Sequence, residues 1–299
     1  MKSNRVIFFV LVGLFSGCLF FDSLAQRGEE SSLLWKITGN DLPRPSYLYG
    51  TMHMLCPEDF TMDPVVVNCF ASTQQVVMEL DIDDPTMMQK MTRLSMNAGG
   101  KNISSELTSG QLSQLDGFLI ANYGMSMQQL GVMKPFTLYS MIVVKLLRCE
   151  QPVSFEMEFL RMSQQAGIEI EGLETVEYQM GVFDSIPATD QIEWIFAALK
   201  EKDDREGELA QMIKHYKNKD IDALYSLFIE NPEYRKHLDV LLHERNKQWI
   251  PAIKEFIHEK PTFIAVGAGH LGSNEGVIAM LEKEGYTLEA VPYGTHANR

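Results

Sequence analysis

No Cys-x-x-Cys pair occurs in this chain, whose four cysteines are Cys18, Cys56, Cys69 and Cys149. The spacing that marks a cysteine-built zinc site is therefore missing. A Gly-x-Ser-x-Gly elbow is also missing, which removes the signature of an α/β serine hydrolase. His243-Glu244 begins like a zinc-protease helix, but Lys247 stands where the second histidine would be. Two imidazoles cannot share that helix face. No Lys/Arg-rich run interrupts a chain of 26 basic and 40 acidic residues, formally −14. Such a field repels phosphate backbones and anionic headgroups, so no nucleic-acid partner is expected. The middle of the chain shows neither a fixed repeat period nor low complexity.

At 299 residues the chain can bury a sizeable core, as one large domain or two smaller ones. Its first 25 residues differ from the rest. Lys2 and Arg5 precede the apolar run Val6 to Phe21, and Ser23-Leu24-Ala25 supplies small residues at −3 and −1. This reads as a secretory signal peptide cleaved after Ala25, followed by a single domain over 26–299. The apolar run is short for a membrane span. Ser16-Gly17-Cys18 leaves lipoprotein processing at Cys18 open, and with it membrane attachment. The expected location is exported, periplasmic or extracellular, with an outer-membrane lipoprotein as the alternative. Export implies an oxidising compartment. Cys56, Cys69 and Cys149 then allow one bridge with three pairings. Cys56 and Cys149 fall in predicted loops and Cys69 in an apolar helix, which favours Cys56–Cys149 and a buried Cys69 thiol.

Along the chain, Leu33–Ile37 and Ser46–Gly50 flank a turn-rich stretch and predict a hairpin. Pro64 opens a short helix to about Ser72. Gln75–Asp81 predicts a third strand, rich in valine. From Asp84 to about Trp249 the pattern is helical, with Ile168–Leu173 as a short strand within it. Phe136–Leu147 is apolar almost all round and predicts a buried helix. Predicted helices span Glu174–Phe183, Asp190–Glu201, Glu206–Tyr216, Ile221–Ile229 and Glu233–Lys247, with Pro232 and Pro251 as punctuation. Thr262–Val266 and Tyr286–Val291 are the last strands, around a helix over Asn274–Lys283 with Asn274 as N-cap and Gly285 as its C-terminal cap. The fold class is α+β, a mixed α/β chain. One sheet is built from N- and C-terminal strands and covered by a large central set of helices. The 18 methionines read as adaptable core filler.

Three strand exits carry chemistry. Tyr47-Leu48-Tyr49-Gly50-Thr51-Met52-His53 and Thr262-Phe263-Ile264-Ala265-Val266-Gly267-Ala268-Gly269-His270 each end an apolar run in Gly-x-x-His. The glycines can take positive φ and permit close backbone approach. Gln75-Val76-Val77-Met78-Glu79-Leu80-Asp81 adds a carboxylate. His53, His270 and Glu79 are thus the parts of a metal site for Mn, Co, Fe or Zn. With three protein ligands a position stays open for water. Gly267-x-Gly269-x-x-Gly272 with Glu289 also fits a dinucleotide fingerprint. The chain ends too soon after it for a second half, and His270 occupies the turn.

The opening Leu34-Trp35-Lys36-Ile37 … Pro45-Ser46-Tyr47-Leu48-Tyr49-Gly50-Thr51-Met52-His53 resembles the start of the TraB/GumN family, which is related to the Tiki metalloproteases. Val77-Met78-Glu79-Leu80-Asp81, Gly172-Leu173-Glu174-Thr175, Glu244-Arg245-Asn246 and Val266-Gly267-Ala268-Gly269-His270-Leu271 continue the likeness over about residues 33–292. The resemblance implies a divalent-metal-dependent hydrolase, with peptidase activity in some relatives and a peptide or small molecule as substrate. It assigns functional roles to His53, His270 and Glu79. Arg245 and Glu174 match other family positions. Arg245 could stabilise an oxyanion or form a structural salt bridge, and Glu174 could be a general base or a charge at a helix N-terminus. Glu79 could be ligand or general base. The alternative function is a non-catalytic envelope module that sequesters a peptide, metal or haem.

Overall fold

The computed structural model describes residues 32–201 and 207–294. The expected leader with cleavage after Ala25, and Cys18, lie outside them. Six strands form one sheet: β1 (Leu34–Gly39), β2 (Ser46–Thr51), β3 (Gln75–Met78), β4 (Ile170–Gly172), β5 (Thr262–Gly267) and β6 (Tyr286–Ala290). Their order across the sheet is β4-β3-β5-β2-β1-β6. The described helices are α1 (Pro64–Ala71), α2 (Met87–Leu94), α3 (Ser109–Tyr123), α4 (Met127–Leu130), α5 (Pro135–Leu146), α6 (Phe155–Ala166) and α7 (Val176–Asp184). They continue as α8 (Ala188–Glu201), α9 (Glu208–Lys217), α10 (Ile221–Glu230), α11 (Pro232–Arg235), α12 (Glu244–Glu259) and α13 (Val277–Lys283). The fold is mixed α/β, as expected.

β1 pairs antiparallel with β2 and β6, while β2, β5, β3 and β4 run parallel. β3 and most of β5 are buried at every position, as parallel strands covered on both faces must be. The helices divide between two apolar clusters. One packs on the sheet and draws on α1, α6, α9, α10, α12 and α13, with Tyr49 and Phe70 each in ring contact with Phe159 and Phe263. The other joins α3, α4, α5 and α8 through Leu119, Leu138, Ile142 and Ile195.

Several boundaries differ from the sequence expectation, each for a local reason. Pro251 lies inside α12 instead of ending a helix. An interior proline costs roughly 3 kcal/mol, but this one faces solvent while Trp249, Ile250, Ile253 and Ile257 bury the opposite face. The expected helix Glu233–Lys247 is split into α11, a π-helical turn Asp239–His243 and the start of α12. α13 starts at Val277 with Gly276 as N-cap, not at Asn274. A Cβ at 276 would sit 2.1 Å from the Gly272 carbonyl oxygen, so only glycine can close that turn. α7 starts after Thr175, whose side chain accepts from the Tyr178 N–H. Glu174 is therefore outside the helix. α5 buries one face only, through Pro135, Leu138 and Ile142. Cys69 is half-buried and unbridged, not a core thiol.

Cys56 and Cys149 form a disulfide across a separation of 93 residues. It ties the loop after β2 to the segment before α6. Beside it, Leu55 and Val153 exchange backbone hydrogen bonds of 2.9 and 2.8 Å. Cross-linking so long a loop removes freedom from the unfolded chain. Cys56→Ala/Cys149→Ala should lose roughly 2–5 kcal/mol of stability, read by urea unfolding under non-reducing conditions. An unchanged midpoint would contradict this role.

Candidate active site

Parallel pairing brings four strand exits to one edge of the sheet. His53 follows β2, Glu79 follows β3, Glu174 follows β4, and His270 follows β5. The carboxyl ends of parallel strands are where open α/β sheets bind ligands. Pairing continues past β3, because Glu174 N–H donates to the Glu79 carbonyl at 3.0 Å. From the other side α12 contributes Arg245, Asn246 and Trp249, all buried on one helix face.

Gly267 is the point of convergence. A Cβ there would lie 3.2 Å from Glu79 Oε1, 3.6 Å from His270 Cδ2 and 3.8 Å from His53 Nε2. Its φ is −53°, and Gly50 likewise avoids the left-handed region. The expectation of positive φ at these glycines is thus corrected. Close approach is what requires them: a Cβ on Gly50 would meet Leu271 Cδ1 at 2.7 Å.

Arg245 holds the centre. Its Nη2 donates to Glu79 Oε2 and to Glu174 Oε1, each at 2.6 Å, and its Nε donates to Glu174 Oε2 at 3.1 Å. Its Nη1 reaches the Leu241 carbonyl at 3.2 Å and His270 Nε2 at 3.0 Å. All five N–H donors are committed. The guanidinium also lies over the Trp249 ring, 4.8 Å from its centroid, a cation–π contact. Glu174 accepts further from Trp249 Nε1 and Gln179 Nε2. With both oxygens occupied, Glu174 anchors Arg245 from the position before the α7 N-cap.

Because a guanidinium can only donate, His270 Nε2 must be the acceptor. Its Nδ1–H then donates to Asn246 Oδ1 at 2.6 Å, while Asn246 Nδ2 donates to the Glu275 carbonyl. Burial and the nearby Arg245 push the imidazole down to about 3, so His270 is neutral. Its ring packs against Trp249 at 4.4 Å. Glu79 is held well below the usual carboxylate range. Burial opposes its charge, but Arg245, then the two histidines, then the Gly267 N–H at 2.8 Å overcome it.

His53 differs, since 68% of its side chain is exposed. Its Nδ1 faces Glu156 Oε1 at 2.9 Å. Crowding by the protein works against the imidazolium, yet the Glu156 carboxylate raises it to about 9. Burial resists the charge on Glu156 in turn, but His53 and the Ser154 and Thr51 hydroxyls bring it down to about 2. Glu156, Asn246, Trp249 and Gln179 were absent from the sequence-based site. Only Trp249, one helical turn after Arg245, could have been placed from spacing.

The donor chemistry fits the divalent ion that the resemblance implies. Each histidine has Nδ1 tied to an oxygen acceptor, as metal-ligating histidines commonly do, while the His270 Nε2 lone pair is taken by Arg245. As placed, Arg245 stands between Glu79 and His270, and His270 Nε2 is 4.0 Å from Glu79 Oε1. Among the described residues no three His, Cys, Asp or Glu side chains are close enough to hold a metal ion.

The sequence profile of the TraB/PrgY/gumN family matches residues 33–290. Metalloprotease TIKI1 of Danio rerio is 24% identical over 95% of this chain and 67% of its own length. Metalloprotease TIKI2 of Danio rerio is 20% identical over 91% and 63%, and Metalloprotease TIKI1 of Homo sapiens 24% over 90% and 64%. The chain thus spans about two thirds of these relatives. No solved structure matches it.

The His53–Glu156 pair stabilises only while both partners are charged. Glu156 has its pKa lowered from 4.5 to about 2, so its contribution is complete above 4.5 and fades as pH falls toward 2. His53 is raised from 6.5 to about 9, so its contribution is complete below 6.5 and fades as pH climbs to 9. In chelator-treated protein, the stability gap between wild type and Glu156→Gln should peak between pH 4.5 and 6.5. Urea unfolding across pH tests this, and a gap independent of pH would refute the pairing.

Proposed function

The chain belongs to the TraB/PrgY/gumN family, and from that premise we propose that it is an exported, divalent-metal-dependent hydrolase of peptides. One observation carries the reading: His53 Nε2, Glu79 Oε1 and the His270 ring converge on the bare Cα of Gly267 at the carboxyl edge of parallel strands. His53, His270 and Glu79 would hold Mn, Co, Fe or Zn. Such an ion supplies Lewis-acid polarisation of a carbonyl and acidification of water. Similarity to the Metalloprotease TIKI1 and TIKI2 proteins supports the same class.

The protein's own groups divide the remaining work. Glu79 stays ionised far below neutral pH, which makes it a weak general base and a suitable anionic ligand. Glu174 fixes Arg245, and Trp249 floors the centre at 0% exposure, excluding water from beneath it. Arg245 can offer an N–H to a developing oxyanion once His270 Nε2 turns to another partner. A second reading, a non-catalytic capture module, draws on the placement of Arg245 where an added cation would compete with it.

Elemental analysis of the protein beside a His53→Ala/His270→Ala variant tests the proposal. Near-stoichiometric metal is expected in the wild type and not in the variant. Turnover of a peptide library should fall by on the order of 100-fold or more in the variant. Metal retention without turnover would favour capture. A folded wild type that takes up none of these ions would overturn the reading.

A further inference from the structure

We infer that Glu156 is a positioning residue that fixes the His53 ring with Nε2 aimed at the centre shared by Glu79 and His270, an inference resting on the reading of that centre as the reactive site. His53 lies two residues past β2, and its ring is mostly in solvent. Packing therefore does little to orient it. Among the described residues, its one hydrogen bond is Nδ1 to Glu156 Oε1.

Glu156 is unlike the carboxylate of an ordinary surface ion pair. Its side chain is 19% exposed and receives three donors. Thr51 Oγ1 donates to Oε1 at 2.7 Å, and Ser154 Oγ donates to Oε2 at 2.6 Å. Thr51 belongs to the Gly-x-x-His stretch and Ser154 is the N-cap of α6. The acceptor is thus fixed from both segments that must meet. The Leu55–Val153 bridge and the Cys56–Cys149 disulfide hold those segments together. With Nδ1–H committed to Glu156, a neutral His53 keeps its lone pair on Nε2, the atom nearest Gly267. Asn246 does the same for His270 from α12. The two imidazoles are oriented by different devices from opposite sides of the site.

The test uses the full chain and two independent readouts. The first is the His53 ring ¹⁵N shifts in chelator-treated protein, at a pH where the ring is neutral. Wild type should show the Nδ1–H tautomer, and Glu156→Ala should shift to Nε2–H, the form an unconstrained histidine side chain favours. Glu156→Gln offers an amide oxygen in the same place and should retain the wild-type tautomer. The second is Zn²⁺ affinity by calorimetry, expected to fall about 10- to 100-fold in Glu156→Ala and less in Glu156→Gln. Should Glu156→Ala fail to fold, Thr51→Val removes one donor to the same carboxylate and should weaken zinc binding several-fold. A Glu156→Ala protein with the wild-type tautomer and wild-type zinc affinity overturns the inference. If wild type binds no Zn²⁺ while the tautomer still follows Glu156, the metal reading fails and the positioning role stands.

Discussion

A guanidinium taken out of water has to meet all of its donors, and the centre of this protein is arranged around that demand. Arg245 is 7% exposed. Leaving such a charge unpaired costs several kcal/mol, whereas a fully paired one is tolerated. The partners come from four directions: Glu79 after β3, Glu174 after β4, His270 after β5 and the Leu241 carbonyl before α12. Moving any one strand exit away would strand a donor. Arg245 therefore ties the register of the parallel strands to the geometry of the site. Trp249 reinforces this from below, since its ring meets both the guanidinium and His270 while its N–H is taken by Glu174.

The topology explains why widely separated residues can meet so closely. β5 enters the sheet between β3 and β2, so His270 lands between Glu79 and His53. A parallel arrangement places every exit on the same side, which an antiparallel meander would not do. The antiparallel pairings of β1 with β2 and β6 extend the sheet beyond β2. The second helical cluster around α5 and α8 contributes no residue to the centre.

His53, Glu79 and His270 were legible in the sequence because each terminates an apolar run, and a strand exit is a local property. Arg245 and Glu174 were visible only through family resemblance, since a charge in a helical stretch does not announce its burial. Glu174 was read into the helix because Thr175, the actual N-cap, directly follows it. Glu156 left no local mark: its role depends on the Leu55–Val153 bridge, a contact between segments almost a hundred residues apart. The glycines of the two Gly-x-x-His stretches were legible as special but for a reason only half right. Their need is set by side chains arriving from other strands, and single-chain patterning says nothing of those.

Charge balance connects these observations to cation binding. Glu79 and Glu174 bring two negative charges to the core, Arg245 returns one positive, and His270 is neutral. One negative charge is left over in a place shielded from water, where Coulomb attraction is stronger than in solvent. The His53–Glu156 pair adds nothing while His53 is an imidazolium. Once His53 gives up its ring proton, Glu156 contributes a second negative charge, and the assembly then matches a divalent cation in magnitude. Arg245 would repel such an ion strongly if it stood alone. Its bidentate pairing with Glu174 offsets part of that field, while its Nη2 also holds Glu79 Oε2 and leaves Oε1 beside Gly267. Under the proposed function, the same pairing is what would let a site with a permanent cation accept another.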